Sequence, residues 1–433
     1  MTEIERRITK GELSPGARLP PVRAAAAELG LAPNTVATAY RQLQDRGLVF
    51  GDGRRGTFVS DRPTTARSSD QPVAAGLVDL TTGNPDHSLL PPLEPVLRAV
   101  SADHINYGHT QIDADLAAVM AADIEPDLRR VGVDRVEAGE TMAIVGGALD
   151  GMERTLNAHL RPGDRVAIED PAYTSVLDLL TAMNLRPVPM ALDEYGVLPA
   201  ELERALVDNA AAVIITPRAQ NPTGAAFDQD RSNALSDILG RHPDTLVIED
   251  DHAGPVAGRP YYGTVPETTV HWVVIRSVAK SLGPDLRLAC LVGDSTTVGR
   301  VIDRQLLGTG WVSHILQRTV AALLLSPSIT ETLEVASATY TARREHFVAL
   351  LESAGLPVVG RSGLNVWVPV ADEAEVVAGM QQRGFAVRSG ARFRQSAGPA
   401  IRVSTASSEI EILGDAAAAL IEVVGGGART RSV

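Results

Sequence analysis

Lysine is almost absent from this 433-residue sequence. Of its 40 basic residues 38 are arginine, and lysine occurs only as Lys10 and Lys280. A lysine amine can lose its proton and condense with an aldehyde to form an imine, whereas a guanidinium stays protonated. Lys10 lies in a polar, turn-like context, and Lys280 lies in an apolar, strand-to-loop stretch. Lys280 is therefore the candidate for covalent chemistry.

Groups suited to bind a phosphate lie near Lys280 and in a second segment. Ser277 precedes the lysine by three positions and Arg287 follows it by seven. A guanidinium binds phosphate through a planar pair of hydrogen bonds. The amides of Gly147 and Ala148 open a predicted helix, where backbone N–H groups and the helix dipole form an anion site. These groups predict a phosphate cradle.

Three further side chains follow apolar runs that predict β-strands. Asp250 ends the run TLVIED, Asn221 lies in NPTG after AAVIITP, and Tyr173 lies in EDPAY after DRVAIED. In an open α/β sheet, ligands bind in the crevice outside the carboxyl ends of the strands. A site for pyridoxal 5'-phosphate (PLP) requires a lysine, a phosphate cradle, a carboxylate for the ring nitrogen, an amide donor and a stacking ring. The sequence offers a candidate for each of these groups.

Each of these motifs has an ordinary structural explanation. NPTG is a good turn, acidic residues after a strand are often solvated, and a glycine pair before a helix usually serves packing. All of them occur in one chain, together with one of only two lysines at the position of the imine. The combination favours a PLP site over a set of unrelated turns.

The pattern of apolar runs predicts the domain organisation. Residues 1–62 read as three helices and a hairpin, and residues 63–76 read as a linker rich in proline, serine, threonine and alanine. From residues 77 to 424, short apolar strands alternate with amphipathic helices, which indicates an α/β domain with a mixed, mostly parallel sheet covered on both faces. Residues 425–433 read as a disordered tail.

Composition and charge limit the kind of protein. The net charge is −13, which argues against a protein that coats nucleic acid. Residues 1–62 carry a balance of +3, with ten basic and seven acidic residues, so only this segment is expected to meet DNA. Cys290 is the single cysteine, and neither a signal peptide nor a membrane span is evident. We expect a cytoplasmic protein that needs no metal.

The first 62 residues contain the pattern of a helix-turn-helix. Residues 21–30 predict one helix, and residues 32–46 predict a second helix after a short turn. The second helix of such a pair enters the major groove of DNA. The residues predicted to contact DNA are Asn34, Thr35, Thr38 and Arg41 on this helix, and Arg54 and Arg55 at the tip of the hairpin.

The order of these motifs resembles the winged helix-turn-helix of GntR-type regulators. The resemblance covers GELSPGARLPPVR before the motif, NTVATAYRQL on the recognition helix and GRRGTFV in the wing. A small helical dimerisation domain is the plainer alternative. The resemblance implies a domain that binds double-stranded DNA.

The remainder of the chain resembles fold-type I aminotransferases of the class I/II group, and the whole chain resembles a MocR-type regulator. The resemblance implies a large α/β domain with a small α+β C-terminal subdomain. It assigns Lys280 to the imine, Asp250 to the pyridine nitrogen and Asn221 to the phenolate oxygen. It assigns four groups to the phosphate, namely Ser277, Arg287 and the amides of Gly147 and Ala148.

Three more residues take their roles from this resemblance. Arg402, in AIRVSTAS, matches the arginine that holds the α-carboxylate of an amino acid. Tyr107 is expected to reach the cofactor of a neighbouring subunit, since sites of this family lie at a dimer interface. His252 departs from the usual EDDY pattern, where a tyrosine bonds the phenolate oxygen. Histidine can donate the same bond but titrates near neutrality.

The sequence therefore predicts a homodimeric, DNA-binding transcriptional regulator that binds PLP as an imine on Lys280. The sensed molecule is either PLP itself or an amino-acid-like effector. An active PLP-dependent aminotransferase with a fused DNA-binding domain is the alternative, which the retained Arg402 supports and the replacement at His252 disfavours.

Overall fold

The computed structural model describes residues 7, 12–14, 16–45, 49–51, 56–59, 73–101, 103–129 and 136–430. Arg54, Arg55 and most of the predicted linker lie outside the described residues, and the side chain of Arg41 does as well. Within these ranges, every helix is too short or too polar to cross a membrane.

The N-terminal domain is built on two helices, α1 (Val22–Leu29) and α2 (Pro33–Asp45). Gly30 ends α1 in the left-handed region, with φ at 64°, and so turns the chain into α2 without a side-chain clash. Their apolar faces share one core. Its buried members are Leu19, Ala25, Ala26, Val36, Tyr40, Leu43, Val49 and Val59.

A short hairpin completes this domain. Strands β1 (Val49–Gly51) and β2 (Thr57–Val59) pair antiparallel, and Arg18 forms a further bridge to Phe58. The Tyr40 hydroxyl donates to the Pro20 carbonyl at 2.9 Å, which ties α2 to the segment before α1. The predicted helix-turn-helix with a β-wing is thus present.

The remainder of the chain contains an eight-stranded sheet, in the order β4–β11–β10–β9–β8–β5–β6–β7. Neighbours β10, β9, β8 and β5 run parallel, and β11 is antiparallel to both of its neighbours. The strands are β4 (Met142–Val145), β5 (Arg165–Asp170), β6 (Arg186–Asp193), β7 (Gly196–Val197), β8 (Ala212–Ile215), β9 (Leu246–Asp251), β10 (Trp272–Ser277) and β11 (Ala289–Gly293).

Helices alternate with these strands along the chain. They are α3 (Leu93–Ala99), α4 (Ala114–Leu128), α5 (Ala148–His159), α6 (Thr174–Ala182), α7 (Pro199–Val207), α8 (Gln229–Leu239), α9 (Ser295–Leu306), α10 (His314–Leu324) and α11 (Pro327–Ser353). Every residue of β4, β8, β9, β10 and β11 is buried. Continuous burial, rather than alternation, is what a sheet covered on both faces produces.

A smaller α+β subdomain follows α11. Its three-stranded sheet consists of β12 (Asn365–Pro369), β15 (Ala400–Ser404) and β14 (Arg388–Ser389) in that order, all antiparallel. A second pair joins β13 (Phe385–Ala386) to β3 (Val78–Asp79). The chain before the large domain therefore contributes a strand to the small subdomain.

Two helices complete the small subdomain and reveal a difference from the sequence prediction. They are α12 (Glu373–Gln382) and α13 (Ile410–Thr430). We expected a disordered tail from residue 425, but α13 continues through three glycines to Thr430. Each residue added to an existing helix gains a backbone hydrogen bond, which offsets the poor helix propensity of glycine. Residues 431–433 lie outside the described part.

Candidate cofactor-binding site

Lys280 lies just beyond the end of β10, on the loop that leads into β11. Its Nζ donates to the carbonyl oxygen of Gly83 at 2.5 Å. The pKa of Lys280 is lowered to about 8, first by burial and then by the positive charge of Arg402, while the negative charge of Asp250 opposes both. About a tenth of this amine is therefore neutral and nucleophilic at pH 7.

Asp250 lies near the end of β9, beside β10 in parallel register with Ile275. Its side chain is buried, and among the described residues no group donates to its Oδ1 atom. Its Oδ2 atom lies 3.5 Å from Nδ1 of His252. A buried carboxylate oxygen without a partner is costly, so it indicates a missing cationic or N–H donor.

The neighbouring Asp251 has a separate task because consecutive strand residues point to opposite faces of a sheet. It accepts two hydrogen bonds from Arg218, at 2.7 and 2.9 Å, and one from Arg276 at 2.6 Å. These two guanidinium groups hold the pKa of Asp251 far below its usual range despite complete burial. The second aspartate of the IEDDH sequence is thus structural.

Arg402 lies on β15 and is buried beside Asn221. Its Nη1 donates to Oδ1 of Asn221 at 3.0 Å, and its Nη2 donates to the carbonyl of Thr81. The guanidinium carbon lies 4.9 Å from the centre of the Phe393 ring. These contacts from three sides fix the orientation of the guanidinium.

The groups expected to bind phosphate lie at the start of α5 and in the loop after β10. Arg287 donates to the Gly146 carbonyl at 3.3 Å. Gly147 has a φ of 99°, and a Cβ there would lie 3.3 Å from Nη2 of Arg287, so the two segments approach closely. Ser277 is buried, and its Oγ accepts from the Ala279 amide at 3.2 Å, which leaves its hydroxyl hydrogen to donate elsewhere.

One predicted phosphate donor is already used. The Gly147 N–H donates to the Val145 carbonyl at 2.9 Å, which closes a tight three-residue turn before α5. The Ala148 amide, at the first position of the helix, needs no partner within the helix. The Gly147 amide thus has a partner within the chain, and its contact with a phosphate stays a prediction.

Comparison with known proteins assigns both parts of the chain. The family described as aminotransferase class I and II matches residues 75–420, and the family described as bacterial regulatory proteins, gntR family, matches residues 1–59. The chain belongs to the class I and II aminotransferase family. With the gntR-type head it is a MocR-type regulator, which confirms the predicted resemblance and fold class.

Curated relatives of this MocR-type regulator are themselves regulators. The chain is 37% identical over 415 residues to the vitamin B6 salvage pathway transcriptional repressor PtsJ of Salmonella typhimurium, with 95% of each chain covered. It is 28% identical over 260 residues to the pyridoxine biosynthesis transcriptional regulator PdxR of Corynebacterium glutamicum, covering 58% of this chain and 54% of that protein. The chain is thus a DNA-binding regulator with an aminotransferase-like domain.

The solved structures share the fold of the second domain. The kynurenine aminotransferase of Pyrococcus horikoshii superposes with a TM-score of 0.71 at 19% identity, covering 85% of this chain and 98% of its own. At this identity the likeness establishes the fold alone. The arrangement of a large sheet and a small C-terminal subdomain is therefore that of an aminotransferase.

Two tyrosines predicted for the site of this regulator lie at its surface. Tyr173 follows the end of β5 and is 38% exposed. Tyr107 is 93% exposed and packs edge-on against Trp311, with 5.5 Å between ring centres. The described contacts do not bring Tyr107 to Lys280 within one chain.

On the head of this regulator, the described DNA-binding candidates are exposed. Asn34, Thr35 and Thr38 lie along the outer face of α2, while Val36 and Tyr40 are buried on its inner face. Helical periodicity explains the division, since residues three and four apart share a face. The polar residues of α2 are thus available to a groove of DNA.

Sequence reasoning missed Glu169, which is fully buried at the end of β5. It accepts hydrogen bonds from the amide and hydroxyl of Thr216, both at 2.9 Å, and from Nε2 of Gln220 at 3.0 Å. Burial raises the pKa of Glu169 to about 7, and the charge of Asp250 adds to the rise. Gln220 precedes Asn221, so this network braces the loop that carries Asn221. The EDPAY sequence, which begins with Glu169, was the signal from which this residue could have been predicted.

Proposed function

We propose that the aminotransferase-like domain binds PLP covalently at Lys280 and that binding of PLP, or of an amino-acid-like effector, changes the affinity of the gntR-type head for DNA. The amine of Lys280 would condense with the aldehyde of PLP, forming a C=N bond and releasing one water. The observation that carries the proposal is the buried Oδ1 of Asp250, which lacks a partner within the described residues. The pyridinium N–H of PLP is a donor of the required charge.

The remaining cleft residues fit the other groups of PLP. The Asn221 amide and the His252 ring can donate to the phenolate oxygen. Arg287, Ser277 and the Ala148 amide can bind the phosphate, and Arg287 supplies the charge that this dianion requires. PLP would supply the electron-withdrawing ring, while the protein binds and orients it. Tyr173 would lie over the ring.

The names of two relatives support a response to vitamin B6. PtsJ is named a repressor of vitamin B6 salvage and PdxR a regulator of pyridoxine biosynthesis. We infer a homodimer in which Tyr107 of one subunit approaches the cleft of the other, and in which two heads read two half-sites of double-stranded DNA. A ligand that prefers one arrangement of the dimer shifts the spacing the heads can reach.

The proposal is tested by the visible absorbance of the purified full-length protein, with and without added PLP. We expect an imine band that borohydride bleaches, with the label recovered on the peptide containing Lys280. A Lys280→Ala variant should fold normally but lack the band. DNA binding to the region upstream of its own gene is then compared with and without PLP. An unlabelled Lys280 in wild type would refute the proposal, and so would a DNA affinity that neither PLP nor any of the common amino acids changes.

Arg402 favours a second candidate function, that of a working aminotransferase. A buried guanidinium held by Asn221 and Thr81 is prepared to bind an α-carboxylate. If the domain transaminates, an amino acid should convert the imine band into that of the pyridoxamine form within seconds to minutes and release a keto acid. A band that shifts without release of keto acid favours sensing instead.

A further inference from the structure

The cleft contains a second buried oxygen for which the proposed function gives no partner. Asn365 begins β12 and is 5% exposed, and no described group donates to its Oδ1 atom. Asp250 is the other cleft residue with such an oxygen, and the pyridinium of PLP accounts for it. Buried amides in native proteins are nearly always hydrogen-bonded. A buried side-chain amide whose oxygen lacks a described partner therefore indicates that a ligand binds beside Asn365.

The amide of Asn365 lies where Gly83 leaves space. A Cβ on Gly83 would lie 3.6 Å from both Nδ2 and Oδ1 of Asn365 and 3.8 Å from Nη1 of Arg402. The amide and the guanidinium thus approach the same point, which the missing side chain of Gly83 keeps open. The carbonyl of the same glycine accepts from Lys280. This niche of Gly83, Asn365 and Arg402 adjoins the amine that would hold the cofactor.

The charges around this niche select the kind of group that can enter it. The positive charge of Arg402 repels a cation and attracts an anion. A carboxylate oxygen accepts hydrogen bonds only, so it can accept from Nη1 of Arg402 and from an amide N–H at once. Rotating the amide of Asn365 by half a turn exchanges its nitrogen and oxygen, so its N–H can face the carboxylate.

We propose that Asn365 is a specificity-determining residue whose amide, together with Arg402, binds one carboxylate oxygen of the effector. The inference rests on the proposed function and narrows it, since the effector is then an amino acid that keeps its carboxylate, rather than PLP alone or a simple amine. Asn365 would not contact PLP.

The test uses the PLP-loaded full-length protein and the common L-amino acids, each compared with its uncharged amide. The change in visible absorbance gives an apparent dissociation constant for each compound. In the wild type we expect an amino acid to bind at least about tenfold more tightly than its amide, since hydrogen bonds to charged groups are the strong ones. No response to any amino acid would overturn the proposal.

Substitutions at Asn365 separate a direct contact from a structural effect. In N365L we expect the affinity for the amino acid to fall about tenfold and that for its amide to fall less, because a neutral carboxamide oxygen accepts a weaker hydrogen bond than a charged carboxylate oxygen. In N365D the new carboxylate would pair with Arg402 and weaken amino-acid binding further. N365Q should restore part of the affinity. N233L, the same change on an exposed face of α8, is the matched control.

The outcomes are distinguishable from failure of the proposed function. If wild type shows no imine band, the function proposed above fails and the present inference with it. If wild type binds PLP and discriminates amino acids from amides, but N365L and N365D discriminate equally well, the inference alone is overturned. A loss of PLP affinity in N365L equal to its loss of amino-acid affinity would also overturn it, because Asn365 would then act through the fold.

Discussion

The protonation state of Lys280 should control how fast PLP is captured. Only the neutral amine attacks an aldehyde, and the pKa of Lys280 is lowered to about 8 by burial and by the charge of Arg402. At pH 7 about a tenth of such an amine is neutral, compared with about 0.03% for a lysine at its ordinary pKa of 10.5. The cleft therefore raises the fraction of reactive amine about 300-fold.

The assay is the rate of appearance of the imine band after PLP is mixed with the full-length apo-protein between pH 7 and 10. We expect the rate to rise with pH and to level off above about pH 8, where the amine is already neutral. An Arg402→Met variant removes a cation that lowers the pKa of Lys280, so its plateau should begin at higher pH. The N233L variant should behave as wild type. A wild-type rate that climbs without a plateau to pH 10 would refute this reasoning.

Three further predictions concern groups around the cleft. Asp251→Asn should lower the free energy of unfolding by about 3–5 kcal/mol in a denaturant titration, because it leaves the charges of Arg218 and Arg276 buried without their shared carboxylate. Burial lowers the pKa of His159 to about 4, so only the unfolded state binds its proton between about pH 6.5 and 4. Stability should therefore fall by about 2 kcal/mol as the pH drops through this window, and His159→Gln should remove that part of the fall. Gly147→Ala should lower the melting temperature and weaken PLP binding, because φ at 99° strains alanine; unchanged values would contradict the close approach at this turn.

The sequence was sufficient for features that depend on local patterns. The apolar run TLVIED predicted a strand near Asp250, and β9 covers Leu246–Asp251. The two helices of the head were predictable from Gly30 and from the apolar spacing of Val36, Tyr40 and Leu43. Lys280 was conspicuous as a candidate because it is one of only two lysines.

Contacts between distant segments could not be predicted in the same way. Gly83 lies 197 positions from Lys280, and Thr81 lies 321 positions from Arg402. These pairings depend on how the small subdomain folds back, which no local period encodes. Asn365 was missed because a single asparagine in an apolar strand carries no motif. The turn that uses the Gly147 amide was missed because residue type predicts a positive φ but not its hydrogen bond.

One short segment connects both cations of the cleft. Lys280 donates to the Gly83 carbonyl, and Arg402 donates to the Thr81 carbonyl. Two backbone acceptors from one three-residue segment therefore hold both groups. Condensation with PLP removes protons from Nζ, and a carboxylate competes for the guanidinium. A ligand that takes both groups therefore removes a hydrogen-bond donor from the Gly83 carbonyl and another from the Thr81 carbonyl. In the sequence this segment follows β3 directly and β3 follows the linker to the head, so this stretch of chain is the shortest covalent route between the ligand site and the DNA-binding domain.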